Sequence, residues 1–185
     1  MNNSPSAWLS KDGAVDSVQY SSEPLKLLWV LREPNGSDFD YQKFLKDPTE
    51  YNRWKSSFGL LVKSSYGILN NVINVSEIPS DPLEIFKIMR RIAVINIKKS
   101  GGSSIINKSE MAKLAKGNCD YLFNQIQSLS PNFVILGGTK DYIRVDVLDD
   151  ISKISKVISV YHPNQRRIPH AKYISDLMDS FRSKN

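Results

Sequence analysis

Two side chains suited to acid–base chemistry stand just beyond two apolar runs at opposite ends of this chain. Glu33 follows the run Leu27–Leu31 with one residue between, and His162 directly follows the run 157–161. Carboxylate and imidazole groups are common general acids and bases. If the two runs are strands of one parallel sheet, these side chains meet at the same edge, and the pair predicts an active site.

The apolar runs predict the sheet that would position this pair. Short apolar runs between turn residues are typical of buried parallel strands. Four such strands are predicted, at 26–31, 92–97, 133–136 and 157–161. Helical patterns lie between and after them, at about 40–69 with a break at Pro48, 81–89, 109–129 and 170–181. The alternation predicts a three-layer α/β/α sandwich with a central four-stranded, mostly parallel sheet and helices on both faces.

Length and composition predict one folded domain. The chain has 185 residues, of which 41% are hydrophobic, and this is enough for a substantial core. Residues 1–24 are polar and lack a sustained period, so we expect a flexible N-terminal arm before a single domain at 25–185. No apolar run approaches the roughly 20 residues of a membrane span, and the N-terminus lacks a signal-peptide pattern. These features predict a cytoplasmic protein that does not bind a membrane.

The net charge and the cysteine content limit the kinds of partner and cofactor that we expect. The formal net charge of +6 fits a polyanionic partner, although many basic proteins bind no nucleic acid. Cys119 is the single cysteine, so the chain can form no internal disulfide and no four-cysteine zinc or iron–sulfur site. We expect Cys119 to be an ordinary helix residue, and we expect neither a metal nor a cofactor.

Each predicted strand ends in polar residues or glycines. They are Glu33 with Asn35 after the first strand, Asn96 in the second, Gly137 and Gly138 after the third, and His162 after the fourth. Any one of them is ordinary turn chemistry when taken alone. Because ligands of parallel sheets bind beyond the carboxyl ends of the strands, the four strand ends together predict one site.

In order and spacing these strand ends resemble the uracil-DNA glycosylase superfamily. The family's first catalytic loop reads Gly-Gln-Asp-Pro-Tyr or Gly-Ile/Met-Asn-Pro-Gly after the first strand; here 32–35 reads Arg-Glu-Pro-Asn. Its second loop reads His-Pro-Ser-Pro-Leu or His-Pro-Ser-Pro-Arg after the last strand; here 162–166 reads His-Pro-Asn-Gln-Arg. A strand between the loops ends in a base-reading Asn, which Asn96 matches. The resemblance covers about residues 25–180.

The resemblance implies a monofunctional DNA glycosylase. Such an enzyme flips the target nucleotide out of the stack, hydrolyses its N-glycosidic bond and leaves an abasic site. Glu33 takes the place of the family's water-positioning Asp or Asn, with one extra methylene. His162 takes the place of the His that donates to the base carbonyl, and Asn96 that of the residue that pairs with the polar edge of a pyrimidine.

Two departures from the family pattern affect which base the predicted pocket would accept. Asn35 stands where the uracil-specific branch has the Tyr that blocks 5-substituted bases, and the loop after Asn96 is rich in Gly and Ser. A roomier pocket favours a 5-modified pyrimidine, such as a hydroxymethylated or glycosylated cytosine of phage DNA, over uracil. Both DNA repair and anti-phage defence fit this activity. Phe39 and Trp54 are the candidates for the aromatic floor of the base pocket.

Basic residues of the same loops are candidates for contacts with DNA. The family's wedge, which fills the gap left by the flipped base, lies four residues beyond the His, and here that residue is Arg166. Phosphate contacts are predicted at Lys98, Lys99, Lys140 and Arg167. We therefore expect a monomer that binds double- or single-stranded DNA.

Three alternatives remain open from the sequence. A nucleoside-processing hydrolase on the same fold would use Glu33 in similar sugar chemistry without needing the basic loops. A catalytically silent DNA-binding module would need Arg166 and Lys98 but neither Glu33 nor His162. A bifunctional glycosylase would use Lys98 or Lys99 as a nucleophile if the pKa of its amine were depressed.

Overall fold

The computed structural model of the chain describes residues 12–32, 46, 47, 49, 51–99 and 108–185. Within these residues there are five β-strands and six α-helices. The strands are β1 (Gly13–Ala14), β2 (Leu27–Leu31), β3 (Ala93–Asn96), β4 (Phe133–Gly137) and β5 (Lys156–Val160). The α-helices are α1 (Ser17–Ser22), α2 (Tyr51–Leu69), α3 (Pro82–Phe86), α4 (Lys108–Leu129), α5 (Val145–Ile154) and α6 (His170–Arg182).

The strands form one sheet in the order β1-β3-β2-β4-β5. The strands β2 to β5 are parallel, and β1 pairs antiparallel with β3 at the edge. Every residue of β2, β3 and β4 is buried, which is why these strands read as continuous apolar runs instead of alternating patterns. The predicted α/β sandwich with a mostly parallel sheet is confirmed, but the sheet has five strands where four were predicted.

The additional strand comes from the stretch that was predicted to be a flexible arm. β1 pairs with β3 along both of its two residues. Asp16 caps the start of α1, and Val15 and Tyr20 are buried. The prediction of an arm at 1–24 is therefore wrong for residues 12–24. These elements are too short to show a periodic pattern in the sequence.

Helices cover both faces of the sheet. One face packs with α2, α3 and α6, in a core that includes Trp29 and Phe133. The other face packs with α1, α4 and α5, in a core that includes Leu28 and Val134. The indole N–H of Trp29 donates to Ser65 Oγ of α2 at 2.9 Å, so this buried polar group is satisfied. The three layers of the predicted sandwich are thus present.

Of the two predicted helix caps, Asp81 is confirmed, whereas Ser109 lies inside its helix. The carboxylate of Asp81 caps α3 by accepting the backbone N–H of Leu83 at 3.0 Å. The α-helix ends at Phe86, however, and the chain continues as a 3₁₀-helix over Lys87–Arg91. The helix α4 begins one residue before the cap that was predicted at Ser109. The predicted break at Pro48 lies outside the described residues.

The strand order creates a crevice between the carboxyl ends of β2 and β4. From β2 the chain crosses to β3 on one side and then returns past β2 to β4 on the other. Such a reversal is a topological switch point, where neighbouring loops diverge and where open α/β sheets bind their ligands. Arg32 follows β2 and Gly138 follows β4, so both border the crevice.

Three features considered from composition can be examined in the described residues: membrane-spanning helices, the surroundings of Cys119 and clusters of metal-ligating side chains. No helix in the described part of the chain combines the length and the apolar character that crossing a bilayer requires. Cys119 is buried on α4, as expected of an ordinary helix residue. Over the same described residues, no three histidine, cysteine or carboxylate side chains cluster as metal ligands.

Candidate active site

The carboxyl ends of β2, β4 and β5 bring Arg32, Gly138 and His162 together. The N–H of Gly138 donates to the carbonyl of Val160 at 2.8 Å and ties the β4 loop to the end of β5. On the other side, the N–H of Lys98 donates to the carbonyl of Arg32 at 2.9 Å and ties the end of β3 to the end of β2. Backbone hydrogen bonds between strand ends therefore fix the register of these loops.

Two glycines allow the β5 loop to lie close against β4. Gly138 has a φ of +68°, in the left-handed region that favours glycine. A Cβ on Gly138 would lie 3.0 Å from the backbone nitrogen of His162 and 3.1 Å from its Cβ. A Cβ on Gly137 would lie 2.8 Å from Cδ2 of Leu31 and 3.2 Å from Cδ of Pro163. The absence of side chains at Gly138 and Gly137 therefore allows His162 and Pro163, respectively, to lie close against the end of β4.

The substitution Gly138→Ala tests this packing. Its methyl group would meet His162, and alanine would be strained at a positive φ, so we expect the free energy of unfolding to fall by about 2 kcal/mol. Gly117→Ala is the matched control, because nothing lies within 4 Å of a Cβ at that position of α4. Urea unfolding measures both variants. A Gly138→Ala variant as stable as the control would contradict the role given to this glycine.

His162 is half-buried, and its imidazole is held in the neutral form. The ring nitrogen Nδ1 accepts the backbone N–H of Asn164 at 3.1 Å, so the proton of the neutral ring lies on Nε2. Burial first, and then the positive charge of Arg32, lower the pKa of His162 from 6.5 to about 4. At neutral pH this side chain is therefore an uncharged hydrogen-bond donor.

The lowered pKa of His162 makes the stability of the protein depend on pH. Between pH 6.5 and about 4 the unfolded chain binds a proton at this residue and the folded chain does not. The free energy of unfolding should therefore fall as the pH drops through this window, by at most roughly 3 kcal/mol. Urea unfolding at several pH values should show a smaller decrease for His162→Gln than for the wild type. Identical decreases would show that this histidine makes no such contribution.

Arg32 is a candidate site residue to which the sequence analysis assigned no role. Its Nε is buried and has no hydrogen-bond acceptor among the residues that the structure describes. A guanidinium group beside a neutral imidazole supplies positive charge to the site without ionisation of the imidazole. In the sequence, Arg32 was only a basic residue after a buried strand, and that pattern is too common to mark a site.

The side chain of Gln165 folds the loop after His162 into a compact turn. Its Oε1 accepts the backbone N–H groups of Arg167 at 2.6 Å and Ile168 at 2.9 Å. Its own backbone N–H donates to the carbonyl of His162 at 2.9 Å. These bonds fix the loop while Arg166 and Arg167 remain exposed. No role was predicted for Gln165, since a single amide in a loop forms no recognisable pattern.

Three of the five predicted DNA contacts are exposed in the loops after β4 and β5. They are Lys140, Arg166 and Arg167. Lys98 is partly buried just beyond β3. The exposed cations share the sheet edge that carries His162, as the sequence predicted, and their contacts with DNA stay predictions.

Lys99 instead belongs to a buried network that the sequence did not predict. Its Nζ lies 2.8 Å from Asp12 Oδ2 and 2.6 Å from Gln125 Oε1. The Nε2 of Gln125 in turn donates to Asp12 Oδ1 at 2.8 Å. Burial lowers the pKa of Lys99, and Asp12 opposes that shift. The side chain is only 7% exposed, so Lys99 does not fit the predicted phosphate contact. The lowered pKa is the condition set for a nucleophile, but the amine is held by Asp12 and Gln125 and is closed off from a substrate.

Asn96 ends β3, as predicted, and it is fully buried. Its backbone N–H donates to Asp12 Oδ2 at 2.8 Å. In the pairing of β3 with β2, Asn96 stands opposite Leu31. The buried Asp12 network therefore reaches the strand end at which the base-reading residue was predicted. The pairing of Asn96 with a base stays a prediction.

Part of the predicted site lies outside the described residues. This part comprises Glu33, Asn35 and Phe39, together with the side chain of Trp54. Arg32, directly before Glu33, is described and borders the crevice. The chain therefore enters the predicted catalytic loop at the switch point, and the roles of these four residues stay predictions.

Two cavities lie at opposite edges of the sheet. One of about 520 Å³ opens beside the end of β5, and Gly138, Lys140 and Tyr161 are among the residues that line it. A larger one of about 980 Å³ lies by the amino-terminal ends of β4 and β5, lined by residues such as Asn132 and Lys156. None of the residues lining the larger cavity was predicted to act in the site. His162, a predicted catalytic residue that the structure describes, lies at the other edge, so the larger cavity does not mark the predicted site.

Fold and site together define a general class, an open α/β sandwich with a candidate ligand site at its topological switch point. Comparison with known proteins adds no closer identity, since no family model, no curated protein and no solved structure matches the chain. The function must therefore be inferred from the residues of the site.

Proposed function

We propose that the protein is a monofunctional DNA glycosylase that removes uracil or, in preference, a 5-modified pyrimidine. The observation that carries the proposal is the imidazole of His162. It is neutral, it keeps its proton on Nε2, and it lies beside Arg32 at the end of β5. An uncharged donor next to a cation suits a reaction in which a leaving group becomes an anion.

In the proposed reaction, a water molecule attacks C1′ of the target nucleotide while the bond from C1′ to the base nitrogen breaks. The electron pair of that bond leaves with the base, which becomes an anion. The Nε2–H of His162 donates to a carbonyl oxygen of the base, and Arg32 adds positive potential. Glu33 orients the water, takes its proton and stabilises the positive charge on the sugar.

DNA is favoured as the substrate over a free nucleoside because of the charges around the site. The chain carries a net charge of +6. Lys140, Arg166 and Arg167 are exposed near the imidazole, where the phosphates of a bent duplex would pass. A nucleoside-processing hydrolase would need the same sugar chemistry but no exposed cations around it.

The preference for a 5-modified pyrimidine rests on Asn35 and on the Gly- and Ser-rich loop after β3. Neither offers the bulk that excludes a 5-substituent from a base pocket. A modified cytosine of phage DNA would assign the enzyme to defence, whereas uracil or a mismatched thymine would assign it to repair. We infer a monomer that acts in the cytoplasm, with no cofactor.

The test incubates the protein with a panel of duplexes and then cleaves any abasic sites with alkali. The panel contains uracil, a mismatched thymine, 5-hydroxymethylcytosine and DNA from a phage with glycosylated cytosine. We expect cleavage of one class, and no cleavage by Glu33→Gln. Binding of every duplex without cleavage of any would overturn the glycosylase proposal in favour of a silent DNA-binding module.

Arg166→Ala tests the predicted wedge. Because a wedge replaces a flipped base inside a duplex, we expect this variant to lose about ten-fold in affinity for duplex DNA and much less for a single strand. Arg90→Ala is the matched control, since Arg90 is exposed and lies before β3, at the opposite edge of the sheet. Fluorescence anisotropy measures both affinities. Equal losses on duplex and single strand would indicate a phosphate contact.

A further inference from the structure

Tyr161 and Arg167 form an exposed pair of an aromatic ring and a cation next to His162. Tyr161 is 53% exposed, and the guanidinium carbon of Arg167 lies 6.0 Å from the centre of its ring. The carbonyl of Tyr161 accepts the hydroxyl of Tyr173 at 2.8 Å, and Tyr173 is buried. The backbone of Tyr161 is thus anchored while its side chain stays accessible to a ligand.

Tyr161 also borders the cavity of about 520 Å³ beside the end of β5. Val160, Ile168 and Tyr173 form an apolar part of its wall, and Lys140 and Asp141 add charged groups. The volume lies in the usual range of small-molecule sites. An aromatic ring stacks with a base, a cation pairs with a phosphate, and a carboxylate accepts a hydrogen bond from a base. This cavity, which we call the groove, therefore combines the groups that recognise a nucleotide.

We propose that this groove is a second nucleotide subsite, in which an unpaired base stacks on Tyr161. Its phosphate contacts Arg167 or Lys140, and Asp141 accepts a hydrogen bond from the base. Asp141 can accept an N–H of an exocyclic amino group. The donor on the pairing edge of thymine, N3–H, lies between two carbonyl oxygens that repel a carboxylate, so the subsite favours bases with an exocyclic amino group over thymine. Asp141 is better placed for this role than the second carboxylate of the groove, Asp176, because Lys172 pairs with Asp176 at 2.9 Å.

Gly138 connects the groove with the candidate active site. It lines the groove, and it packs against the backbone of His162. A nucleotide in the groove is therefore a neighbour of the nucleotide whose base His162 contacts, and the subsite reads the sequence around the target. This last role rests on the proposed function, whereas the binding of an unpaired nucleotide does not.

The test measures the binding of short, fluorescently labelled oligo(dC) and oligo(dT), which as single strands contain no mismatch and which carry neither uracil nor a modified cytosine. We expect Tyr161→Ala to weaken binding of oligo(dC) about ten-fold, since base stacking on aromatic side chains contributes on this scale. Tyr161→Phe keeps the ring and should bind as the wild type does. Tyr121→Ala is the matched control, because Tyr121 is 48% exposed and lies 5.5 Å from the ammonium of Lys99, on α4.

The base preference is tested with the same probes. The wild type should bind oligo(dC) more tightly than oligo(dT), and Asp141→Asn should reduce that difference. Equal binding of the two probes by the wild type would overturn the role of Asp141. If Tyr161→Ala binds as tightly as the wild type, the subsite is overturned even where excision is observed. If binding depends on Tyr161 but no duplex of the panel releases a base, the subsite stands and the glycosylase proposal falls.

Discussion

His162→Ala is expected to lower the rate of base excision about 10²- to 10³-fold and to change DNA affinity little. A rate decrease of this size is typical when an enzyme loses one preorganised hydrogen-bond donor to an oxygen that gains negative charge in the transition state. Single-turnover excision from the duplex that the wild type cleaves is the measurement, because it separates the chemical step from binding and from product release.

The chain offers a matched control for this substitution in its second histidine. His170 is exposed at the first residue of α6, outside the site, so His170→Ala should excise at the wild-type rate. Because the pKa of His162 is about 4, its ionisation should produce no step in the wild-type rate near pH 6.5. Excision by His162→Ala at the wild-type rate would remove this residue from the site.

The four parallel strands were predicted from the sequence, whereas the antiparallel edge strand β1 was not. The strands β2, β3 and β4 are buried on both faces. Apolar residues are therefore favoured at every position, and each strand appears in the sequence as a continuous apolar run. The strand β1 has only two residues, and its pairing depends on the backbone of β3, which no local pattern records. Short edge elements are stabilised by tertiary contacts, and sequence periodicity cannot reveal them.

For the candidate site, too, the sequence predicted which residue type stands at a strand end but not how the surroundings of that residue change its properties. His162 was predicted from its place after an apolar run, because strand ends of a parallel sheet share an edge. Its neutral state depends on burial, on Arg32 and on the N–H of Asn164, all of which are known only in three dimensions. Lys99 is the opposite case: a lysine in a polar loop is expected to be exposed, but this one is buried against Asp12, which lies 87 residues away in the sequence.

Asp12→Ala is expected to reduce the free energy of unfolding by about 3–5 kcal/mol. The side chains of Asp12 and Lys99 are 2% and 7% exposed, so removing the carboxylate leaves an ammonium group buried without its counter-charge. Urea unfolding is the measurement. Asp176→Ala is the matched control, because the Asp176–Lys172 pair has the same kind of contact, at 2.9 Å, on the surface of α6. An exposed pair of this type contributes about 0.5 kcal/mol or less.

The double variant Asp12→Ala/Lys99→Met separates the two reasons why Asp12 could matter. If the cost comes from the unpaired ammonium, replacing Lys99 by an apolar side chain should recover much of the lost stability. If it comes from the lost hydrogen bond to the N–H of Asn96, the double variant should be no more stable than Asp12→Ala. We expect recovery, because leaving a charge buried and unpaired costs more than losing one backbone hydrogen bond. The network would then stabilise the end of β3 mainly through its charge pair.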